Sequence, residues 1–266
     1  MRIFWAVFRK ITKGFNKLAY IHIPKTGGSY LGQLESNLKS VLSSTYFLGH
    51  TYVIDKAGVP NPIYYPRDLK HSKKNVILLG TIERYLVVST VRNIFDWLVS
   101  YAGHAGGWNY RYRNPEHYDF VAANKNFDFL LKTIANREDL WPNRKFIYCQ
   151  LFCNNGQLII DWLNRAETLD NDLAALASLA RVKHNPRPKQ RVGKRRDYRQ
   201  YYTDSLVELV YETWGRELKL FGYEFENPES SSGLLSREID PRAKGSIRYS
   251  WSDDQLSVNG ELIRSF

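Results

Sequence analysis

A short loop near the start of the chain carries residue types that suit the binding of an anion. Lys25 and Thr26 precede two consecutive glycines, Gly27 and Gly28, and Ser29 follows them. Glycines let the backbone approach a ligand closely, while the lysine and hydroxyl side chains add a positive charge and hydrogen-bond donors. The composition of this loop therefore indicates a site for a phosphate-like oxyanion.

The residues on either side of the loop predict a strand before it and a helix after it. An apolar run with branched residues at Ile21 and Ile23 ends at Pro24, and Tyr30 and Leu34 follow at the spacing of a helix face. The first turn of a helix has unpaired N–H groups and the positive end of the helix dipole. This arrangement would present backbone donors to the anion.

The order of the residues argues against an ordinary ATPase or kinase. The nucleotide-triphosphatase loop has the pattern GxxxxGK[ST], in which the lysine follows the glycines. Here Lys25 precedes Gly27 and Gly28, and that pattern occurs nowhere in the chain. Taken alone, the loop could also be an incidental Gly-Gly turn beside a solvated lysine.

Arg92 and Ser100 form a second candidate anion site. The continuous apolar run Leu86–Val88 predicts a strand of a parallel sheet that is covered on both faces, and a helix follows it. A forked guanidinium after the strand and a hydroxyl on the helix suit a second phosphate group. Two alternatives stay open: an ion pair of Arg92 with Asp96, and an ordinary surface position for Ser100.

Together the two motifs resemble those of sulfotransferases that use 3′-phosphoadenosine 5′-phosphosulfate (PAPS). Residues 23–30, IPKTGGSY, are similar to the family's 5′-phosphosulfate loop, particularly in the carbohydrate group that includes the heparan sulfate 2-O-sulfotransferases. Arg92 and Ser100 match the R-x₇-S motif that contacts the 3′-phosphate in this family. Tyr30 departs from the usual small hydroxyl residue, although its backbone N–H can serve either way. The resemblance implies nucleotide contacts from Lys25, Thr26, Gly27, Gly28, Ser29, Tyr30, Arg92 and Ser100.

A third resemblance lies in residues 197–225, which are similar to the family's closing segment and include a helical apolar stripe. The basic stretch 181–199 comes directly before this helix, and in the family such a loop folds over the nucleotide. Lys194 and Arg195 are therefore candidates for further phosphate contacts, although a charge run of this kind is also typical of a solvated loop.

The resemblance also directs the search for a catalytic base. His50 belongs to a Gly-His pair in the middle or at the end of the second predicted strand, Tyr46–Ile54, at the place where the family often keeps its catalytic histidine. His104 is the next candidate, with Glu35 and Glu83 behind it. A further histidine, at position 22 inside the first strand, is expected to be structural.

The activity that the resemblance implies is transfer of a sulfuryl group from PAPS to a hydroxyl, less often an amine, of a glycan or small metabolite. The product of the donor is 3′-phosphoadenosine 5′-phosphate. Lys25 would neutralise charge on the departing phosphate, and no metal ion is required. The alternative is a non-catalytic basic protein that binds a polyanion such as nucleic acid or an acidic glycan. The set Lys25, Arg92 and Ser100 favours the enzyme, with no specific nucleic-acid partner.

Composition gives only broad limits. The 266-residue chain has a net charge of +11, which favours anionic partners without choosing among them, and its 43% hydrophobic residues can form a sizeable core. The only two cysteines, Cys149 and Cys153, are expected to be buried thiols, in keeping with a reducing, cytoplasmic location. The apolar and basic N-terminal segment is too short for a transmembrane helix and predicts a short amphipathic helix.

The fold that we expect is α/β and like that of P-loop nucleoside triphosphatases. A single domain over residues 1–225 would contain a central parallel sheet of four or five strands flanked by helices, with the nucleotide at the carboxyl ends of the strands. Residues 226–266 would form a linker and a small C-terminal β appendage packed on the same domain. Within this appendage, Asn259-Gly260 predicts a hairpin turn.

Overall fold

In the computed structural model, the described part of the chain contains both strands and helices, and it comprises residues 17–23, 26, 44–49, 52–54, 76–78, 85–108, 127–136, 148, 151–152, 156–179, 197–227, 233, 235, 239, 246–250, 255–258 and 261–264. The strands are β1 (Lys17–His22), β2 (Ser44–Gly49), β3 (Tyr52–Ile54), β4 (Val76–Leu78), β5 (Leu86–Val91), β6 (Trp162–Arg165), β7 (Ile247–Ser250), β8 (Gln255–Val258) and β9 (Glu261–Arg264). The helices are α1 (Ile94–Trp108), α2 (Phe127–Ala135), α3 (Leu169–Leu179) and α4 (Asp204–Phe221), with a 3₁₀ turn at Tyr198–Tyr201.

Among the described residues, four strands form a parallel sheet in the order β2, β1, β5, β6. Tyr20 lies opposite Phe47 on one side and Val88 on the other, and Val88 lies opposite Trp162. All six residues of β5 are buried, as its continuous apolar run predicts for a strand covered on both faces. A parallel sheet within a mixture of helices and strands agrees with the expected α/β class, while the full number of strands stays a prediction.

The second predicted strand, Tyr46–Ile54, was wrong in its extent. The structure divides this stretch into β2, which ends at Gly49, and β3, which pairs with β4 in a separate two-stranded parallel sheet. A glycine has no side chain to pack, so it weakens the continuation of a strand and favours a break. Gly49, the first residue of the Gly-His pair, is therefore the last residue of β2.

The chain divides into two compact units. The first comprises residues 1–91, 148–190 and 235–266, and the second comprises residues 92–147 and 191–234. The four-stranded sheet, α3 and β7–β9 belong to the first unit, whereas α1, α2 and α4 belong to the second. The division into residues 1–225 and 226–266 that composition suggests stays a prediction.

The last strands form a small antiparallel sheet in the order β7, β8, β9. Val258 pairs with Glu261, so two residues, Asn259 and Gly260, connect β8 to β9. This is the hairpin that the Asn-Gly pair predicts, because both residues tolerate the backbone angles that a two-residue turn requires.

Helix α4 carries the apolar stripe of the second unit. Val210, Trp214, Leu218 and Phe221 are all buried, which confirms that most of the predicted stripe is core. The helix ends at Gly222, which has a φ of 67° and donates its N–H to the Leu218 carbonyl. Glycine suits this left-handed position because it has no Cβ to clash.

A buried carboxylate ties the start of β5 to the segment before β6. The Asp161 carboxylate accepts a hydrogen bond from the Val87 N–H over 2.9 Å, and the Asp161 N–H donates to the Val87 carbonyl over 2.9 Å. The Asp161 carbonyl also accepts from the Ile239 N–H. One residue thus links three segments of the first unit.

Substitutions of Asp161 test how much this link contributes to the free energy of unfolding. Asp161→Ala leaves the buried Val87 N–H without its acceptor, so we expect the free energy of unfolding to fall by about 2 kcal/mol. Asp161→Asn keeps an oxygen acceptor and should lose clearly less. Urea unfolding followed by circular dichroism gives both values. Equal losses in the two variants would show that the carboxylate charge, and not the acceptor, is what stabilises the fold.

Candidate functional site

The candidate anion loop begins where β1 ends, and Thr26 is the loop residue that the structure describes. Its side chain is fully buried, and its hydroxyl donates to the Ile23 carbonyl over 2.7 Å. Such a bond is typical of a turn that a hydroxyl side chain stabilises. The sequence suggested that this hydroxyl faces the anion, whereas in the structure it is directed to the chain itself.

Two neighbouring strands of the first unit end at the same level, and the other predicted site residues of this unit follow them in the sequence. His22, the last residue of β1, pairs with Gly49, the last residue of β2, and the next residue after Gly49 is His50. Neighbouring strands lie about 5 Å apart, so the two segments leave the sheet side by side. The predicted residues outside the described part of the chain are Lys25, Gly27, Gly28, Ser29, Tyr30, Glu35, His50, Glu83, Lys194 and Arg195.

Tyr20 was not predicted as a site residue, yet its buried phenol donates a hydrogen bond to Thr90 Oγ1 over 3.0 Å and lies beside the hydroxyl of Thr26. The signal in the sequence was weak, because it consisted of two hydroxyl residues, Ser89 and Thr90, near the end of the otherwise apolar strand β5. Nothing local indicates that residues 20 and 90 lie on neighbouring strands.

The second predicted anion site lies at the start of the second unit. Arg92 directly follows β5, α1 begins two residues later, and Ser100 lies in this helix with a partly exposed side chain. The structure therefore confirms the order of strand, arginine, helix and serine on which the prediction depends. What these two side chains bind stays a prediction.

Arg92 forms the ion pair with Asp96 that was considered as its alternative role. Its Nε and Nη2 atoms lie 2.6 Å and 2.5 Å from Asp96 Oδ2, and both side chains are about 85% buried, with 16% and 15% exposed. A charge-assisted contact of this kind holds the planar guanidinium in one orientation. Asp96, in the first turn of α1, therefore fixes the arginine side chain at the N-terminus of this helix.

An aromatic cluster packs the closing segment against the first turn of α1. The Phe95 ring makes edge-to-face contacts with Tyr202, Tyr211 and Phe225, with ring centroids 5.4, 5.4 and 4.9 Å away. Pairs in this geometry are stabilised beyond their burial of apolar area. The aromatic residues of the closing segment thus have a structural role beside Arg92.

Asn93 joins this cluster to the helix terminus. Its side-chain oxygen accepts from the Phe95 N–H over 3.0 Å, which caps α1, and its amide donates to the Glu224 carbonyl over 3.0 Å. The Tyr202 hydroxyl also donates to the Phe95 carbonyl over 2.8 Å. Asn93 is completely buried, so both of its bonds are shielded from water. The helix that follows Arg92 and carries Ser100 is therefore anchored at its beginning.

The chemistry of these donors suits anions. A guanidinium and a hydroxyl both donate to phosphate oxygens, and a capped helix start adds the positive end of a dipole. In the part of the chain that the structure describes, no three His, Cys, Asp or Glu side chains form a group that could hold a metal ion. Within the same residues, none of the helices has the length and hydropathy needed to cross a bilayer.

Comparison with known proteins gives the class of this chain. Residues 9–224 match the model of the Sulfotransferase family, a span that includes both predicted anion motifs and most of the closing segment. The chain therefore belongs to the sulfotransferase family, whose members are transferases that move a sulfuryl group to an acceptor. Neither the curated proteins nor the solved structures gave a match.

The cap of α1 can be tested by substitution. Asn93→Ala removes the acceptor for the Phe95 N–H and the donor to the Glu224 carbonyl, so unfolding should become easier by about 1–2 kcal/mol. Asn93→Ser retains a capping oxygen and should recover part of this loss. Urea unfolding of the three proteins provides the comparison. An Asn93→Ala protein as stable as the parent would contradict this account of the helix start.

Proposed function

We propose that this protein transfers a sulfuryl group from PAPS to a hydroxyl, less often an amine, of a glycan or small metabolite. The observation that carries this proposal is the family match over residues 9–224, because it spans the IPKTGGSY loop and the Arg92–Ser100 motif in the order that the family has. The strand order also supports it, because the loop follows β1 in the sequence and Arg92 follows β5, which pairs with β1.

The residues present fit an anionic nucleotide with two charged ends. Lys25, Thr26, Gly27, Gly28, Ser29 and Tyr30 would hold the 5′-phosphosulfate, with Thr26 contributing its backbone N–H because its hydroxyl is engaged in the fold. Arg92 and Ser100 would hold the 3′-phosphate, and Lys194 and Arg195 would add contacts. When bound, PAPS supplies the sulfuryl group that is transferred.

Two side chains have chemical roles in this proposal. His50 accepts the proton of the attacking hydroxyl, which makes the acceptor oxygen a better nucleophile. Lys25 neutralises negative charge on the oxygen of the departing phosphate. Both follow the carboxyl ends of β1 and β2, which are neighbours in the sheet.

The finer identity is also a proposal. The resemblance to the carbohydrate group that includes heparan sulfate 2-O-sulfotransferases makes a glycan the first acceptor class to test, and the net charge of +11 suits an acidic one. A cytoplasmic location accords with the presence of only two cysteines in the chain. The direct experiment is a screen of acceptors with PAPS, read out as release of 3′-phosphoadenosine 5′-phosphate. Absence of transfer to every hydroxyl and amine acceptor class would contradict the proposal.

Arg92 should determine the preference for a nucleotide with a 3′-phosphate. We expect Arg92→Ala to raise the Kd for 3′-phosphoadenosine 5′-phosphate about 10- to 100-fold, because a charge-assisted contact is lost. The Kd for 5′-AMP should change by less than about twofold, since that ligand has no 3′-phosphate. Isothermal titration calorimetry measures both constants.

Lys132→Ala is the matched control for this measurement. Lys132 also forms an ion pair with an aspartate four residues away, Asp128, at 3.0 Å on helix α2. Its loss removes one positive charge and one such pair, and both dissociation constants should stay unchanged. If Arg92→Ala weakens neither nucleotide, the pair with Asp96 is the whole function of Arg92.

Substitution of His50 should lower the turnover rate and leave nucleotide binding unchanged. We expect His50→Ala to lower kcat by about 10²- to 10⁴-fold, the range for loss of a general base. The Kd for 3′-phosphoadenosine 5′-phosphate should stay within about twofold, because the base contacts the acceptor. His104→Ala, measured in parallel, tests the other candidate. Retained turnover in His50→Ala with loss in His104→Ala would assign the base to His104.

A further inference from the structure

A line of buried polar side chains crosses three strands of the parallel sheet and reaches Thr26. The Tyr20 hydroxyl donates to Thr90 Oγ1 over 3.0 Å, and the same phenol lies beside the hydroxyl of Thr26, which donates its own hydrogen to the Ile23 carbonyl. Asn164 Nδ2 lies 3.4 Å from Thr90 Oγ1, and Asn164 Oδ1 accepts from Trp162 Nε1 over 2.9 Å. The line begins on β6, crosses β5 and β1, and ends at Thr26, four residues after the last residue of β1.

The strand register explains why these side chains meet. Val88 pairs with both Tyr20 and Trp162, and Thr90 pairs with Asn164. Because side chains alternate along a strand, residues 88 and 90 point to one face, together with their partners. The Tyr20 phenol extends along this face towards Thr90, which lies nearer the carboxyl end of β5. The polar line therefore runs at the end of the sheet from which the candidate anion loop departs.

The surroundings of the line are dry. Thr26, Thr90 and Asn164 are completely buried, and Tyr20 and Trp162 are 3% exposed. Burial raises the pKa of Tyr20 well above its ordinary value, and the hydrogen bonds with Thr90 and Thr26 only partly oppose this. The phenol therefore keeps its proton at neutral pH. Every member of the line is uncharged and acts through directed hydrogen bonds.

Stability alone does not require polar groups here. Phenylalanine and valine have nearly the shapes of tyrosine and threonine, and an apolar core avoids the cost of burying hydroxyls. A connected polar network, in contrast, specifies one arrangement of the groups at its ends. One end of this network is Thr26, whose hydroxyl also bonds the Ile23 carbonyl. The network thus packs the Tyr20 phenol against a side chain whose own hydrogen bond closes the turn after Ile23.

We propose that Tyr20, Thr90 and Asn164 are positioning residues that hold Thr26 so that its backbone N–H is oriented to bind the 5′-phosphate end of the nucleotide. This inference rests on the proposed function for its ligand, but the geometry of the network does not depend on it. Tyr20 contacts no ligand in this account and acts only through Thr26.

Two substitutions that remove one hydroxyl each test the proposal. Tyr20→Phe and Thr90→Val should each raise the Kd for 3′-phosphoadenosine 5′-phosphate about fivefold to tenfold, the size of effect expected for one lost buried hydrogen bond. The KM for PAPS should rise in parallel, whereas the KM for the acceptor should not change. Thr90→Ser restores a hydroxyl at position 90 and should recover the parent affinity.

Ser89→Ala is the matched control. Ser89 is completely buried on β5, next to Thr90, and its hydroxyl donates to the Ile21 carbonyl over 2.8 Å. It therefore joins the same two strands without reaching Thr26. A purely structural effect would appear in Ser89→Ala as well, with similar losses of stability and of affinity. We expect Ser89→Ala to lose stability and to retain nucleotide affinity.

Hydrogen exchange separates this inference from the proposed function. In the protein without nucleotide, the peptide that contains Thr26 should exchange faster in Tyr20→Phe and Thr90→Val than in Ser89→Ala or Thr90→Ser. Equal exchange in all four variants would overturn the positioning role, even if the parent binds the nucleotide. Faster exchange in Tyr20→Phe and Thr90→Val would support the network even if the parent protein bound no nucleotide. In that case the missing nucleotide binding would overturn the proposed function instead.

Discussion

The parallel pairing of β1 with both of its neighbours is the constraint on which the rest of the structure depends. Parallel strands all present their carboxyl ends at one edge, so the segments that follow them leave the sheet together. Here His22 ends level with Gly49, and Ile21 is level with Ser89. A slip of one residue in this register would reverse the faces of a whole strand and separate Tyr20 from Thr90. The pairing of the strands thus determines which residues of the first unit can meet at this edge of the sheet.

Each unit then uses buried polar contacts to fix the backbone where its predicted anion motif lies. In the first unit the contacts are hydroxyls at Tyr20, Thr26 and Thr90. In the second, Asn93 bonds the Phe95 N–H and the Glu224 carbonyl, and the Phe95 ring is surrounded by aromatic residues. Buried polar groups are costly unless they are hydrogen bonded, so their presence in both places indicates that a defined backbone position is required there.

Local features were predictable from the sequence. The unbroken apolar run identified β5, the spacing after it identified α1, and an Asn-Gly pair identified the turn between β8 and β9. The i to i+4 spacing even allowed the contact between Arg92 and Asp96 to be considered in advance. These features depend on neighbours within one or two turns of the chain, and a single sequence contains that information.

Contacts between distant residues were not predictable. Tyr20 and Thr90 are 70 residues apart, and Val87 and Asp161 are 74 apart. Their meeting depends on which strands pair and in what register, and no local pattern encodes either. The predicted extent of the second strand was wrong for the same reason, because β2 and β3 join different sheets although only two residues separate them in the sequence. The loop motif could be recognised in the sequence, whereas the buried contact of Tyr20 with Thr90 could not.

The ion pair of Arg92 shows why overall charge is a poor guide to a specific anion site. A net charge of +11 attracts any polyanion, but attraction of this kind is screened by salt and does not distinguish one phosphate from another. A free arginine side chain loses about 2 kcal/mol of rotamer entropy when a ligand immobilises it. The Arg92 guanidinium is already held by Asp96 at 2.6 Å, so much of that loss has occurred on folding. The aspartate weakens the attraction for an anion by its charge, but it leaves a guanidinium whose direction is set. Selectivity between nucleotides that differ by one phosphate depends on such a fixed direction more than on the total charge.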